Sequence, residues 1–198
     1  MIYNVSEIFY SIQGEGILQG LPMIFIRLAG CNLRCSFCDT KYAWGKGKKQ
    51  DVRRIIKKIE RYPSRWVCIT GGEPLLQQLS PLIKILKDRK YCVAIETNGT
   101  IWQDIKIDWF TVSPKREGLK SFRCGYDERF LKVANEFKYV ITHKKDMDFI
   151  DKRIKNPVIL QPVDNNLKLA HWIVNTLKKS AEKNWYFRMQ MHKLMEIR

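Results

Sequence analysis

Cys31-Asn32-Leu33-Arg34-Cys35-Ser36-Phe37-Cys38 places three thiols in one short stretch of a 198-residue chain. No secretory leader is evident, so thiols at gaps of three and two point to metal chemistry rather than to disulfides. Three thiolates can hold three irons of a cubane iron–sulfur cluster, which normally takes four cysteines. One iron is then left open to a small chelating molecule, whereas a structural site tends to close itself with a fourth Cys or His. No fourth ligand follows nearby. The alternative is a zinc site that recruits a remote ligand from His143, His171, His192, Cys68, Cys92 or Cys124.

Outward from the thiols, apolar or β-branched runs alternate with helical patterns. Residues 22–29, 66–70, 91–96, 108–112, 138–142, 157–161 and 185–189 read as strands. Residues 51–61, 74–88, 127–136, 146–154 and 167–183 read as helices, with Ser80-Pro81 able to start a separate one. The alternation predicts βα units and a parallel sheet. Polar motifs fall just past the carboxyl ends of these strands: Cys31, Gly71-Gly72-Glu73, Glu96-Thr97-Asn98, Ser113-Pro114-Lys115, Gln161-Pro162, and Gln190 with His192. Any one of them has a plain reading as a turn or a helix start. Their shared placement beside the thiols favours the face on which βα barrels carry chemistry. A full eight-unit barrel takes about 250 residues, so the expected fold class is α/β, a partial, open βα (TIM-like) barrel in a single domain, 1–198.

Composition sets further bounds. The chain is 45% hydrophobic, as in an ordinary globular protein, and no run is long enough to cross a bilayer, so a cytoplasmic protein is expected. Lys and Arg total 36 against 20 acidic residues, a net charge of +16, which raises the question of nucleic acid. In the densest basic cluster, Val52, Ile55, Ile56 and Ile59 recur at helical spacing behind a possible Asp51 cap. Arg53, Arg54, Lys57 and Lys58 then form a solvated outer face. The excess is spread along the chain without a nucleic-acid motif, so no specific nucleic acid is expected, although the field would attract a small anion. Cys68 and Cys92 read as buried strand residues and Cys124 as a loop thiol. Near the N-terminus, Ser11 to Gly16 reads as a strand end passing into a Gly-flanked loop. Its Gln13 and Glu15 offer donors and acceptors to a heterocycle, or else form only a polar turn.

The three-cysteine run followed by Gly71-Gly72-Glu73-Pro74 resembles the radical S-adenosylmethionine superfamily. That resemblance implies a [4Fe-4S] cluster whose open iron takes the methionyl amino and carboxylate groups of S-adenosylmethionine. Reductive cleavage of the sulfonium then yields a 5′-deoxyadenosyl radical.

The resemblance extends further, through Ser6-Glu7-Ile8-Phe9-Tyr10-Ser11-Ile12-Gln13-Gly14-Glu15-Gly16, Gly20-Leu21-Pro22, and Phe25 to Leu33. It continues in Cys38-Asp39-Thr40, Ile95 to Gly99, Val112 to Lys115, Asn135 to Lys138, Gln161-Pro162, and Gln190 to Lys193. Together these are similar to the 7-carboxy-7-deazaguanine synthase family almost end to end. Membership would imply ring contraction of 6-carboxy-5,6,7,8-tetrahydropterin to 7-carboxy-7-deazaguanine with loss of ammonia, on the path to queuosine and archaeosine. Hydrogen abstraction at C6 would start the reaction, with the cofactor regenerated.

By position, the family assigns Cys31, Cys35 and Cys38 to the cluster. Phe37, Asp39, Gly72, Ser113, Pro114, Lys115, Gln161, Pro162, Val163 and Asp164 line S-adenosylmethionine, and Ile12, Gln13, Gly14, Glu15, Arg27, Thr70, Glu96 and His192 surround the pterin. Thr40 matches a magnesium (Mg2+) ligand. Arg198 stands where the family commonly ends in proline; it would add a cation near the substrate or point into solvent. Met191 replaces a frequent Thr or Ser, and the run from Arg116 to Asp127 suits a mobile loop. The resemblance also implies a homodimer and an electron donor such as flavodoxin or ferredoxin. Two competing readings are a glycyl-radical activase and a basic zinc-binding RNA module. The first leaves Gln13-Gly14-Glu15-Gly16, Arg27 and Cys38-Asp39-Thr40 unexplained.

Overall fold

The computed structural model describes residues 1–116 and 125–197. These pack into two compact units. The first comprises Met1–Ser11, Pro22–Thr97 and Ile101–Phe110, and the second Ile12–Leu21, Asn98–Thr100 and the chain from Thr111 onward.

In the first unit the strands are β1 (Ile2–Ile12, whose last residue belongs to the second unit), β2 (Pro22–Leu28), β3 (Lys48–Asp51), β4 (Trp66–Gly71) and β5 (Cys92–Thr97), in spatial order β3-β1-β2-β4-β5. β2, β4 and β5 run parallel, with Arg27 opposite Thr70 and Ile69 opposite Ile95. Ile24, Ile26, Leu28, Val67, Cys68, Ile69, Val93 and Ile95 are all fully buried. Strands covered on both faces read as continuous apolar runs, which is why these three are legible from sequence. Helix α1 (Val52–Ile59) buries Val52, Ile55, Ile56 and Ile59, and Asp51 caps it by accepting from the Arg54 amide at 2.9 Å. Each of those isoleucines contributes about 1.5–3 kcal/mol by leaving water.

The second unit holds β7 (Glu136–Ile141), β8 (Val158–Pro162) and β9 (Trp185–Phe187), parallel and in that order. The strand β6 (Trp109–Val112) enters it at Thr111, which lies opposite Glu136. Helix α4 (Leu167–Leu177) buries Ala170 and Ile173, and Asn166 caps it through the Leu169 amide. The Ile12–Leu21 loop closes on itself, with the Gln13 amide donating to the Leu21 carbonyl and the Gly20 amide to that of Gln13, both at 2.8 Å.

Several elements depart from the sequence reading. Of β1 only the end near Ser11 was anticipated, and β3 not at all, because β3 is Lys48-Lys49-Gln50-Asp51 and becomes a strand only by pairing antiparallel with β1. Lysines on such an edge discourage pairing with another chain. The single helix expected over 74–88 is a short 3-10 turn, Pro74–Leu76, followed by α2 (Ser80–Asp88), the separate helix that Ser80-Pro81 allowed. Gln103 holds the break open, donating to the carbonyls of Leu75 and Gln77 at 2.8 Å. The helix expected over 127–136 shrinks to α3 (Phe130–Val133), since β7 begins at Glu136; 144–149 is a 3-10 stretch; and α4 stops at Leu177.

Candidate active site

In the first unit, the cysteine loop leaves the carboxyl end of β2. Cys35 is buried, Cys31 and Cys38 are half-buried, and none of the three forms a disulfide. The Leu33 amide donates to Cys31 Sγ at 3.4 Å and the Cys38 amide to the Cys35 carbonyl at 3.2 Å. Burial pushes the Cys31 thiol pKa up, with Glu73 and Cys38 adding to the rise, while the Leu33 amide and Arg34 oppose it. Beside this loop, Gly71 has φ +146°, and a Cβ on Gly72 would lie 2.2 Å from the Gly30 carbonyl oxygen and 2.8 Å from Cys31 Cβ. Only glycine lets the turn after β4 pass this close to the thiols. Buried Glu73 fixes the turn, accepting from the Leu75 amide and the Thr97 hydroxyl while its own amide donates to Gly30. Phe37 is half-buried in the same loop, and the hydroxyl of half-buried Thr40 donates to exposed Asp39 at 2.9 Å.

Register brings three more of the expected residues together. Arg27 and Thr70 are paired across β2 and β4, and the Thr70 hydroxyl donates to Glu96 on β5 at 3.0 Å. Arg27 Nε donates to Glu7 at 2.9 Å. Burial works to lower the Arg27 pKa, but Tyr42, Glu7 and Glu96 outweigh it and raise the value above the usual one, so the guanidinium stays charged.

In the second unit the site is built around Glu15. Its carboxylate is paired with Lys138 and accepts from the side-chain amides of Gln161 at 3.0 Å and Gln190 at 2.7 Å. The carbonyl of Lys138 accepts from the Ser113 hydroxyl at 2.8 Å, and Lys115 Nζ donates to that hydroxyl at 2.5 Å. Pro114 sits buried between them in sequence. Gln13 is buried and accepts from the Glu15 amide. Gly14 lies against His192, whose Nδ1 would be 2.1 Å from a Cβ there, and the Gly14 carbonyl accepts from the Met191 amide at 2.9 Å. Ile12 opens this loop, half-buried. Past Gln161, Pro162 closes β8, Val163 follows, and Asp164 (φ +46°) accepts from Lys193 at 2.8 Å. Gln161 is 1% exposed, and among the described residues its Oε1 has no hydrogen-bond partner. Such a buried acceptor suits a donor brought by a ligand.

Arg198, expected near the substrate, lies outside the described residues, as do Cys124 and most of the 116–127 run. Glu7, Glu73, Glu136, Lys138 and Gln190 take structural parts at these positions without having been singled out as site residues. For two of them the pattern of β7 points the wrong way. Glu136, Phe137, Lys138 and Tyr139 alternate charge with aromatic ring, yet all four are buried. In a half-exposed strand the charged members would face water; here they face polar partners.

Parallel βα units with a three-thiol loop and a glycine turn at the strands' carboxyl ends define the radical SAM class, and the radical SAM superfamily model matches residues 25–115. Several curated 7-carboxy-7-deazaguanine synthases match along their whole length. The one from Bacteroides thetaiotaomicron is 39% identical and the one from Buchnera aphidicola 34% identical, each with all of both chains covered. The crystal structure of QueE from Escherichia coli superposes with a TM-score of 0.80 at 30% identity, covering 96% of this chain and 95% of that one. The chain belongs to the 7-carboxy-7-deazaguanine synthase family. Its fold class is the partial, open βα barrel of the radical SAM type.

Membership in that superfamily implies a [4Fe-4S] cluster and S-adenosylmethionine, and the residues present fit both. Three thiols outside any disulfide share one loop of the first unit and a glycine turn approaches them on its backbone; in the second unit Gln161 keeps a buried acceptor with no partner among the described residues. Among the described residues, no three His, Cys, Asp or Glu side chains, the thiols of this loop included, gather as a ready-made site for a single metal ion. No helix among them is long and apolar enough to cross a membrane.

Proposed function

We propose that this chain, acting as one radical SAM domain, converts 6-carboxy-5,6,7,8-tetrahydropterin to 7-carboxy-7-deazaguanine with release of ammonia. Similarity to synthases over the whole length supports this reading and favours neither the activase nor the RNA module. The structural observation that carries it is the row formed by Arg27, Thr70 and Glu96 at the carboxyl ends of adjacent strands. A fixed cation suits a substrate carboxylate, and a carboxylate beside a hydroxyl suits the amine edge of a pterin.

When bound, the cluster and S-adenosylmethionine supply a carbon-centred radical able to take hydrogen from a C–H bond. Cys31, Cys35 and Cys38 would ligate the cluster. Phe37, Asp39, Gly72, Ser113, Pro114, Lys115, Gln161, Pro162, Val163 and Asp164 would line the cofactor, with Gln161 Oε1 accepting one of its N–H or O–H groups. Gln13, Gly14, Glu15 and His192 would position the pterin with Arg27, Thr70 and Glu96. Thr40 would offer its hydroxyl oxygen to Mg2+, with substrate oxygens and water completing the shell of this hard cation. The family resemblance further supports a cytoplasmic homodimer reduced by a small electron-transfer protein.

The test is an anaerobic assay of iron- and sulfide-reconstituted protein with dithionite, S-adenosylmethionine, magnesium and the carboxypterin, read by mass detection. Formation of 7-carboxy-7-deazaguanine, absent in Cys35→Ala, is expected. Cleavage to 5′-deoxyadenosine without that product would overturn the substrate assignment and leave the superfamily chemistry intact.

A further inference from the structure

Arg27 is held from one side only. Its Nε donates to Glu7 Oε1, and the same oxygen accepts from the Tyr42 hydroxyl at 2.7 Å. The Arg27 Cζ lies 5.6 Å from the Phe9 ring centroid and 5.9 Å from that of Tyr42, within cation–π range of both. Its side chain keeps 18% of its surface exposed, and among the described residues neither Nη group has a hydrogen-bond partner. A guanidinium grips a carboxylate through one edge of its planar fork. With Nε committed to Glu7, the edge left for a ligand is the one carrying both Nη groups.

Tyr42 is 62% exposed on the short turn Lys41–Trp44, directly after Cys38-Asp39-Thr40. A large exposed ring that spends its hydroxyl on a strand carboxylate adds little to the core. Its contacts instead tie the segment after the thiols to the partner of Arg27. A plain structural ion pair would not require the phenol, nor leave both Nη groups unmatched.

We propose that Glu7 and Tyr42 form a brace that orients the Arg27 guanidinium, and that this brace sets the preference of the site for a carboxylated pterin. The inference rests on the proposed function and assigns positioning roles to two residues that do not touch the reacting atoms. Glu7 fixes the rotation of the fork. Tyr42 fixes Glu7, so the shape of the loop that follows the thiols is transmitted to the carboxylate-binding edge.

The experiment uses reconstituted holoprotein and compares 6-carboxytetrahydropterin with 6-methyltetrahydropterin, by equilibrium binding and, for the carboxylated compound, by steady-state kinetics. Glu7→Ala is expected to weaken carboxypterin binding about tenfold, the loss of one charge-assisted hydrogen bond. Glu7→Gln, which keeps an acceptor, should recover part of that loss, and Tyr42→Phe should weaken binding about threefold. KM should carry the change with kcat held within about twofold, and affinity for the methylpterin should stay at the parent value. A merely structural role would lower binding of both pterins together, and that result would overturn the brace. So would unchanged or tighter carboxypterin binding in Glu7→Ala, which would make Glu7 a competitor for Arg27. If the parent protein binds and turns over neither compound, the proposed function fails instead; a selective parent with indistinguishable variants sinks the brace alone.

Discussion

Arg27 in the first unit and Glu15 in the second are both charged, both largely buried and both expected at the pterin, yet they are built in opposite ways. Arg27 has one edge tied to Glu7 and its Nη edge unmatched among the described residues. Glu15 has both carboxylate oxygens engaged, one by Lys138 and the other by Gln161 and Gln190. A paired cation that keeps one edge of its fork unmatched at a strand end is suited to face a ligand. A fully matched charge is a frame, whose value lies in what it holds still. Glu15 fixes Gln161 through its amide nitrogen, and that leaves Gln161 Oε1 without a partner among the described residues.

Removing the counter-charge of Glu15 is the strongest way to break this contrast. Lys138→Met leaves a buried carboxylate without its cation, which costs about 3–5 kcal/mol. Urea denaturation should show the loss, and Lys138→Met/Glu15→Gln should recover most of it because no uncompensated charge remains. A single variant as stable as the parent would mean that Glu15 is open like Arg27, and the distinction would fall. The corresponding change in the first unit, Arg27→Met, leaves Glu7 the Tyr42 hydroxyl and is expected to cost less than half as much.

A milder perturbation moves the loop that carries Glu15. Glu136 accepts from the Ile17 amide and the Thr111 hydroxyl, both at 2.7 Å, and Gly16 packs on its carboxylate. A Cβ on Gly16 would lie 2.3 Å from Glu136 Oε1, at a φ of +71° that L-residues resist. Gly16→Ala should therefore cost about 1–2 kcal/mol in strain and lift the loop, raising KM for the pterin more than it weakens S-adenosylmethionine binding, which the loop reaches through Gln161. Equal weakening of both ligands would show that the loop serves the whole site rather than the pterin side.

How much of this was legible in the sequence follows from range. The thiols, the glycine turn and the buried parallel strands were readable because their chemistry is local or periodic. Thr70 and Glu96, which the resemblance groups, meet because strands β4 and β5 end in register. The brace on Arg27 was not readable, since Glu7 and Tyr42 lie 20 residues before and 15 after it in the chain and meet only through folding. Lys138 and Glu136 were obscured for a different reason. Charged residues alternating in a strand normally mark a wet face, and nothing in local sequence says that the face opposite is polar and closed. β3 shows the same limit at an edge, where pairing overrides poor strand propensity.

The smallest expected effect sharpens the comparison from outside both sites. Lys87 and Asp108 form a close pair at 2.7 Å, and Asp108 also accepts from the Val93 amide at 2.7 Å, but both side chains are about one-third exposed or more. Burial alone would raise the Asp108 pKa; the hydrogen bonds from Lys87 and Val93 outweigh it and hold the carboxyl below the usual range. A depressed folded pKa stabilises the native state fully above the unfolded value, about 3.9, and that contribution is lost as pH falls through the folded one. Solvent screening limits the pair to about 0.5–1 kcal/mol. Asp108→Asn should therefore lower stability by roughly that amount at pH 7, with the gap to the parent closing as the pH falls below 4. If the gap instead matched that of Lys138→Met, burial would not be what separates the two pairs, and the frame around Glu15 would owe its strength to its glutamines.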